Sequence, residues 1–373
     1  MRLLIAAGGT GGHIYPGMTI AQVWQARHPE GEVLFVGTAR GLEKDIIPRN
    51  GWPLKLIRSA PLSRRPSWKT LRSLGLAALG LGDSFRVLRD FRPDVVVGTG
   101  GYAAGPVLAA AILQGLPTLI QEQNAYPGLT NRLLSRFAGA VALGYADAAK
   151  HLSPKARIFV TGNPVRPEIV ARERDEALHL LGLKKDKRVL LVLGASQGAR
   201  TINNAMAQVF PSFLQRRDLM VIHQTGKDDY QRVGDALAKL AAGSPRGDGT
   251  LFGNVWVLPY IHDMPEVLAC ADLVVARAGA ISIAELTARG LPCVLIPFPF
   301  AAENHQEKNA RVLEREGAGV VILDHELTGP LLLETVEGLL ADRARLETMA
   351  TNSRRLGRPR AVWDIVDLLD SLL

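Results

Sequence analysis

With only two cysteines in 373 residues, Cys270 and Cys293, the chain has neither a disulfide framework nor a cysteine-built metal site. Both stand among apolar residues and read as buried thiols of a reducing compartment. No apolar run approaches the roughly 20 residues that span a bilayer. The five apolar residues before the first glycines are too few for a signal-peptide core, so no leader is expected. Aromatic residues make up 6% of the chain, and no basic stretch interleaves them along a strand face. Zinc-finger, RRM and basic-zipper patterns are also missing, so nucleic acid is not an expected partner. Acid is scarce in one half: residues 1–160 hold 19 Lys+Arg against 9 Asp+Glu, a net +10, whereas the whole chain is +8. A basic excess of that size favours an anionic partner, either a phosphorylated ligand or an anionic membrane surface, and a merely solvated basic surface is the plain alternative.

What is abundant is hydrophobic residues, 47% of the chain, in a mass of 40.3 kDa that can bury two cores. Strand-like runs recur with helical segments between them: Leu3–Ala7, Val33–Val36, Asp94–Val97, Thr118–Ile120, Ala140–Leu143 and Ile158–Thr161. TGNPVRPEI, Thr161 to Ile169, carries two prolines in four residues and reads as a linker. The pattern then restarts with Val189–Leu193, Leu219–His223, Val255–Leu258, Leu273–Ala276, Cys293–Ile296 and Val320–Ile322. This alternation predicts an α/β protein of two similar halves, each a parallel sheet with helices on both faces.

Four strands run into glycine loops that open helices: GGTGGH at Gly8–His13, GTGGY at Gly98–Tyr102, GASQGA at Gly194–Ala199 and ARAGA at Ala276–Ala280. Such loops bring backbone N–H groups and a helix N-terminus against phosphate. One alone also serves tight packing with no ligand. Four at the carboxyl ends of strands point to at least two phosphate-bearing ligands and to a cleft between the halves. The first loop is not a dinucleotide fingerprint. Gly9-x-Gly11 is present, but the residue three further on is Ile14 rather than Gly or Ala, and the second strand ends in Gly37 and Thr38 where a ribose-binding acid would stand, so a nicotinamide cofactor is not expected.

Several polar side chains sit where chemistry is possible. His13 closes the first loop and could act as general base or donate to a phosphate. Glu122 and Asn124, in QEQN after the fourth strand-like run, lie at the same sheet edge, and Glu122 could orient His13 or be the base itself. Ser196 stands at the head of a helix, suited to a leaving diphosphate or to plain N-capping. Glu285, expected near the first turn after the fourth loop, could accept both ribose hydroxyls or offset the helix dipole. ENHQEKNA, Glu303–Ala310, is too polar for core, so Gln306 and Asn309 could face sugar hydroxyls. No Asp-x-Asp is present, and neither a metal nor another cofactor is expected. Between Arg64 and Asp94, Trp68, Leu71, Leu74, Leu76, Leu79 and Leu81 are flanked by Arg64, Arg65, Lys69, Arg72, Arg86, Arg89 and Arg92. That suits an apolar patch resting on an anionic leaflet, or a helix pair with solvated arginines.

Taken together and in order, GGTGGH, GTGGY, QEQN with GLTN (Gln121–Asn131), TGNPVR (Thr161–Arg166), GASQGA, RAGAISIAEL (Arg277–Leu286) and NHQEKNA (Asn304–Ala310) resemble the bacterial peptidoglycan glycosyltransferases that make lipid II. The resemblance covers nearly the whole chain, departing at Ala195, where glycine is expected, and at His305, where some relatives have glutamine. It implies the GT-B architecture: Rossmann-like domains at 1–163, binding acceptor and membrane, and 164–350, binding UDP-sugar, that face across a cleft. A helix within 351–373 would return to the first domain. It implies inverting transfer of N-acetylglucosamine from UDP-N-acetylglucosamine to the C4 hydroxyl of an undecaprenyl-diphosphate-linked muramyl pentapeptide, by a peripheral protein at the cytoplasmic membrane face. Other cell-wall synthesis proteins would be further partners. Matched motifs imply donor contacts at Thr10, Gly11, Gly12, Asn124, Arg166, Ser196, Ile261, Ala280, Ile281, Ser282, Ile283, Ala284, Glu285 and Gln306, with uracil on the Ile261 backbone and ribose on Glu285. Gly101 and Tyr102 would contact the acceptor, and His13 or Glu122 would be catalytic. A UDP-sugar 2-epimerase on the same fold and a non-catalytic nucleotide-binding membrane adaptor are the competing readings.

Overall fold

The computed structural model describes residues 1–59, 68–194 and 198–373, with the backbone alone for 68–75 and 77. Two compact units are present, residues 1–165 with 360–373, and residues 166–359.

The first unit holds a seven-stranded parallel sheet: β1 (Arg2–Ala7), β2 (Glu32–Thr38), β3 (Leu54–Ile57), β4 (Val95–Gly100), β5 (Thr118–Glu122), β6 (Ala140–Leu143) and β7 (Ile158–Phe159), in the order β3-β2-β1-β4-β5-β6-β7. Strands such as LLIAA and VVV are buried on both faces, which is why they read as continuous apolar runs rather than alternating ones. On one face α1 (Gly11–Arg27) contributes Ile14, Ile20 and Trp24 to a core shared with Leu3, Ile5, Phe35 and Val97, and α2 (Glu43–Arg49) adds Ile47. On the other face Leu88 of α3 (Trp68–Phe91) and Val107 and Leu108 of α4 (Ala104–Leu113) pack with Leu4, Val96 and Val141. A short helix, α5 (Leu129–Leu134), follows β5.

The second unit begins with α6 (Pro167–Ala171) and α7 (Arg174–Leu180), then builds an eight-stranded sheet. Its strands are β8 (Arg188–Leu193), β9 (Leu219–Gln224), β10 (Gly243–Arg246), β11 (Gly249–Phe252), β12 (Val255–Leu258), β13 (Leu273–Ala276), β14 (Cys293–Leu295) and β15 (Gly319–Val321), in the order β10-β11-β12-β9-β8-β13-β14-β15. The helices are α8 (Arg200–Leu214), α9 (Lys227–Ala238), α10 (Met264–Cys270), α11 (Ala280–Arg289), α12 (His305–Arg315), α13 (Gly329–Ala341) and α14 (Arg343–Leu356). Met206, Phe210 and Phe213 of α8 meet Leu332, Val336 and Leu339 of α13 over one face of this sheet.

Three elements differ from the sequence pattern. The β3 edge strand, LKLI, runs half-buried, exposed, exposed, buried, and so short a segment with Leu56 turned to solvent shows no period in the sequence. The antiparallel β10–β11 hairpin carries Pro245, which an edge strand tolerates because the missing N–H has no inner partner to serve. The tail is split: Thr351–Leu356 complete α14 in the second unit, and the returning segment begins at Arg360 and forms α15 (Ala361–Asp370) in the first. There Val362, Ile365, Val366 and Leu369 are fully buried beside Ile20 and Trp24, while Arg27 pairs with Asp367 (2.6 Å) and Asp370 (2.9 Å).

Candidate functional site

In an open parallel sheet, the crevice forms where the strand order reverses, at the carboxyl ends of the two strands that flank the reversal. In the first unit those strands are β1 and β4, and they lead into GGTGGH and GTGGY. In the second they are β8 and β13, and they lead into GASQGA and the RAGA turn that opens α11. The four glycine loops therefore occupy the switch points of the two sheets, two to each sheet.

Thr10 is the N-cap of α1, with Gly11 and Gly12 its first residues. The loop is tied down from several sides. His13 Nδ1 lies 3.0 Å from the Gly8 carbonyl and 3.4 Å from Thr10 Oγ1, and Thr99 Oγ1 donates to the His13 carbonyl at 2.7 Å. A carbonyl only accepts, so Nδ1 carries the proton and Nε2 keeps its lone pair. Gly100, at φ +110°, leaves no room for a side chain: a Cβ there would sit 2.6 Å from His13 Cδ2 and 3.0 Å from Nε2. Gly101, at φ +81°, passes so close that a Cβ would be 2.0 Å from the Gly8 carbonyl oxygen. Desolvation pushes the His13 pKa below its usual value, although the Gly8 carbonyl and the Glu43 charge both oppose the fall. The imidazole is thus neutral at neutral pH. Tyr102 is exposed, with its ring edge over Gly9.

Glu43, which the sequence reading passes over, is completely buried beneath this loop. Its Oε2 accepts from Gly9 N at 2.9 Å, and its Oε1 accepts from Thr38 N and Thr38 Oγ1, both at 2.8 Å. The signal in the sequence was glycine: a Cβ at Gly8, Gly37 or Gly41 would fall within 2.8 Å of the Glu43 side chain. Gly9 N is consequently committed to a carboxylate, which narrows the loop's capacity for phosphate to the remaining N–H groups.

Glu122 is also buried, but it is engaged in its own loop. Oε1 accepts from Asn124 N (2.9 Å) and Asn124 Nδ2 (3.3 Å), and Oε2 accepts from Gly128 N (3.0 Å) and Asn131 Nδ2 (2.8 Å). Four donors occupy both oxygens, and none of them is His13. In this arrangement Glu122 holds the QEQN–GLTN loop, including Asn124, in place.

In the second unit, Gly279 caps α11, whose first residues Ala280, Ile281 and Ser282 present the N-terminal backbone of the helix. Glu285 lies in the second turn rather than the first. Its Oε1 accepts from Arg166 Nε (3.1 Å) and Nη2 (2.9 Å), which leaves Oε2 for another donor. Burial raises the Glu285 pKa, and Arg166 opposes the rise. Ile283 is buried, and Ala284 completes the turn before Glu285. Ile261 is buried, and its N–H donates to Gln224 Oε1 at 3.1 Å. Gln306 Oε1 accepts from Phe298 N at 2.9 Å. Asn309 differs from its expectation: it is fully buried, and its Nδ2 reaches the Ala278 carbonyl at 3.4 Å, so it braces the RAGA turn. Ser196 and its neighbours Ala195 and Gln197 lie outside the described residues. Beside them Gly198, at φ +83°, passes Thr225 so closely that a Cβ would be 2.3 Å from its carbonyl oxygen. Beneath, Asn203 Nδ2 donates to the Thr225 carbonyl and to Asp229, each at 2.9 Å, and Asn203 Oδ1 faces His223 Nε2 at 3.0 Å. Among the described residues no group of three or more His, Cys, Asp or Glu could hold a metal ion.

Comparison with known proteins adds the following. The N-terminal domain of glycosyltransferase family 28 matches residues 3–143 and the C-terminal domain of that family matches 189–365. A curated relative from Desulforudis audaxviator (strain MP104C) is 48% identical over 372 residues, covering 100% of this chain and 98% of its own length. That relative is named UDP-N-acetylglucosamine--N-acetylmuramyl-(pentapeptide) pyrophosphoryl-undecaprenol N-acetylglucosamine transferase. The crystal structure of Acinetobacter baumannii MurG superposes with a TM-score of 0.76 at 28% identity, covering 99% of each chain. A UDP-GlcNAc 2-epimerase from Neisseria meningitidis bound to UDP-GlcNAc reaches a TM-score of 0.65 at 16% identity over 100% of both chains, a likeness of fold alone.

Proposed function

The chain belongs to glycosyltransferase family 28, and from that premise we propose that it moves N-acetylglucosamine from UDP-N-acetylglucosamine to undecaprenyl-diphosphate-linked N-acetylmuramyl-pentapeptide, lipid I to lipid II, in peptidoglycan synthesis. In the reaction the acceptor's C4 hydroxyl oxygen bonds to C1 of the donor sugar from the face opposite the diphosphate. The bond from C1 to the diphosphate oxygen breaks, UDP departs with the electron pair, and the hydroxyl proton goes to a base. We assign that base to His13 Nε2. The observation that carries the assignment is the ring's own hydrogen bond: Nδ1 is held by the Gly8 carbonyl, leaving on Nε2 the lone pair that a base requires.

The donor nucleotide belongs to the second unit in this reading. The Glu285 Oε2 takes a ribose hydroxyl, Arg166 holds the carboxylate in place, and Ser196 with the N-terminus of α11, Ala280 to Ala284, stabilises the departing diphosphate. The Ile261 carbonyl accepts from uracil N3–H, a donor that only an acceptor can meet, while the Ile261 N–H stays on Gln224. Gln306 meets the sugar. Thr10, Gly11 and Gly12, with Asn124, lie at the reacting end, and Gly101 and Tyr102 meet the acceptor. We assign Glu122 to positioning Asn124 rather than to proton transfer.

For the membrane, no helix among the described residues is long and apolar enough to cross a bilayer. What supports peripheral docking is the exposure of Leu79 and Phe85 on α3 beside the exposed guanidiniums of Arg86 and Arg89. Arg64, Arg65 and the side chains of Trp68, Lys69, Leu71, Arg72 and Leu74 lie outside the described residues. The reading is tested by supplying UDP-N-acetylglucosamine with and without a lipid I analogue. UDP release that depends on the analogue is expected, and an acceptor-independent change at the sugar would instead indicate an epimerase.

A further inference from the structure

The Glu43 carboxylate and the His13 imidazole address the two ends of one peptide group. Glu43 Oε2 accepts the N–H of Gly9 at 2.9 Å, and the carbonyl of the same peptide, Gly8 C=O, accepts from His13 Nδ1 at 3.0 Å. We propose that Glu43, through the Gly8–Gly9 peptide, is the partner that orients His13 and stabilises its imidazolium, a carboxylate–histidine pair relayed by one amide. This rests on the reading of His13 as base.

Three properties of the arrangement support it. Glu43 is completely buried, and among the described residues no Lys or Arg pairs with it. Three donors and no acceptor face it, the surroundings of an ionised carboxylate. A buried charge of this kind is costly unless something nearby makes use of it. An amide whose N–H is bound to a carboxylate is polarised toward its oxygen, so its carbonyl becomes a stronger acceptor for the next donor in line. When Nε2 takes the hydroxyl proton, the imidazolium's positive charge forms one hydrogen-bonded amide away from this carboxylate. The geometry also fixes which nitrogen faces the reaction, since Nδ1 cannot turn away without breaking the hydrogen bond to Gly8. Glu43 is therefore a positioning residue that touches no substrate.

Of the charged groups around the ring, Glu43 is the one that acts on it. Lys44, Asp45 and Arg49 on the same helix are exposed to solvent. Tyr15 and Arg27 are the further titratable groups of α1, Arg27 lying at its far end on Asp367 and Asp370, and Tyr102 follows β4. Since Glu43 raises the His13 pKa, removing its charge moves the acid limb of the pH–kcat profile to lower pH and weakens the base at neutral pH.

The test compares Glu43→Gln, His13→Gln and the double variant with UDP-N-acetylglucosamine and a soluble lipid I analogue. The relay predicts that Glu43→Gln lowers kcat roughly ten- to a hundredfold, short of the ~100- to 10,000-fold loss of a general base. KM for the donor should be unchanged and the acid limb displaced to lower pH, with the double variant no worse than His13→Gln alone. If His13→Gln retains turnover, the base reading itself fails and the relay falls with it. If His13→Gln is inactive while Glu43→Gln keeps its kcat, or loses kcat with the acid limb unmoved, the relay alone is overturned and Glu43 is only structural. Nitrogen-15 NMR of the unaltered protein, with the His13 signal identified by difference against His13→Gln, decides the matter even if Glu43→Gln does not fold. The neutral ring must be the Nδ1–H tautomer, and finding Nε2–H overturns the proposal.

Discussion

Glu285 holds a carboxylate where burial disfavours its charge and Arg166 only partly offsets that cost. A carboxyl whose folded pKa lies above its unfolded value binds protons more tightly in the native state, so its contribution to stability falls as pH rises through that range. Glu285→Gln should therefore melt at a higher temperature than the unaltered protein at pH 7. The difference should vanish below the unfolded carboxyl range near pH 4, as thermal unfolding across pH will show. Glu285→Ala should lose a charge-assisted hydrogen bond worth about 1.5–3 kcal/mol, raising KM for UDP-N-acetylglucosamine roughly 10- to 150-fold in steady-state assays. For His13 the sign is opposite. Its pKa is depressed by desolvation, so the base stays unprotonated down to more acidic pH than an ordinary histidine, and the acid limb of kcat should lie below pH 6.5. His223 is a second buried histidine, its pKa pushed down to about 3 by desolvation. The unfolded chain takes up the proton that the folded one refuses, so His223 costs the fold stability as pH falls from the usual histidine range toward 3. The sequence offered His13 and Glu285 because each stands on a glycine loop or on the helix the loop opens. It concealed Glu43, because a glutamate in a short segment after a strand looks solvated until the glycines around it are seen to make room.

Among the elements, α15 belongs to the unit from which it is farthest in sequence. Ile365 is fully buried against the α1 face, so Ile365→Ala should destabilise by about 2–5 kcal/mol in urea unfolding. Asp370→Asn removes charge partners of Arg27 and His28 that are partly exposed and should cost no more than ~1 kcal/mol. The apolar pattern of Val362 to Leu369 marks this segment as an amphipathic helix, but no local pattern says where the preceding helix stops. Gly357, whose Cβ would strike the Thr287 carbonyl oxygen at 2.4 Å, marks that stop only once α11 is beside it. The loops between strand and helix show the same division. GTGGY declares itself in the sequence, yet the approach of Gly101 to Gly8 joins segments about ninety residues apart. Gly101→Ala should therefore depress kcat through displacement of the Gly8–His13 loop.

On the scale of the molecule, an excess of basic residues in 1–160 and exposed apolar residues on α3 predict binding to anionic vesicles. At about 1 kcal/mol for each basic residue near the surface, Arg86→Gln with Arg89→Gln should weaken vesicle binding roughly thirtyfold in sedimentation assays at low salt, while UDP-N-acetylglucosamine turnover in detergent is retained. Addition of salt should erode the difference. What the sequence determined by itself is everything written in local periods: apolar runs long enough for parallel strands, glycine turns that carry each into a helix, and ordered motifs that name a family. What only the tertiary structure decided is which turns meet and what fills the space beneath them. Strand order put β1 beside β4 and β8 beside β13, and that placed the loops in pairs. It also set Glu43 under Gly9, gave the Ile261 N–H to Gln224, enclosed Glu122 in its own loop and buried Asn309 against Ala278. The reason is one of range: a helix or strand is specified by neighbours a few residues away, whereas a buried carboxylate finds its donors only after residues far apart in the chain have been packed together.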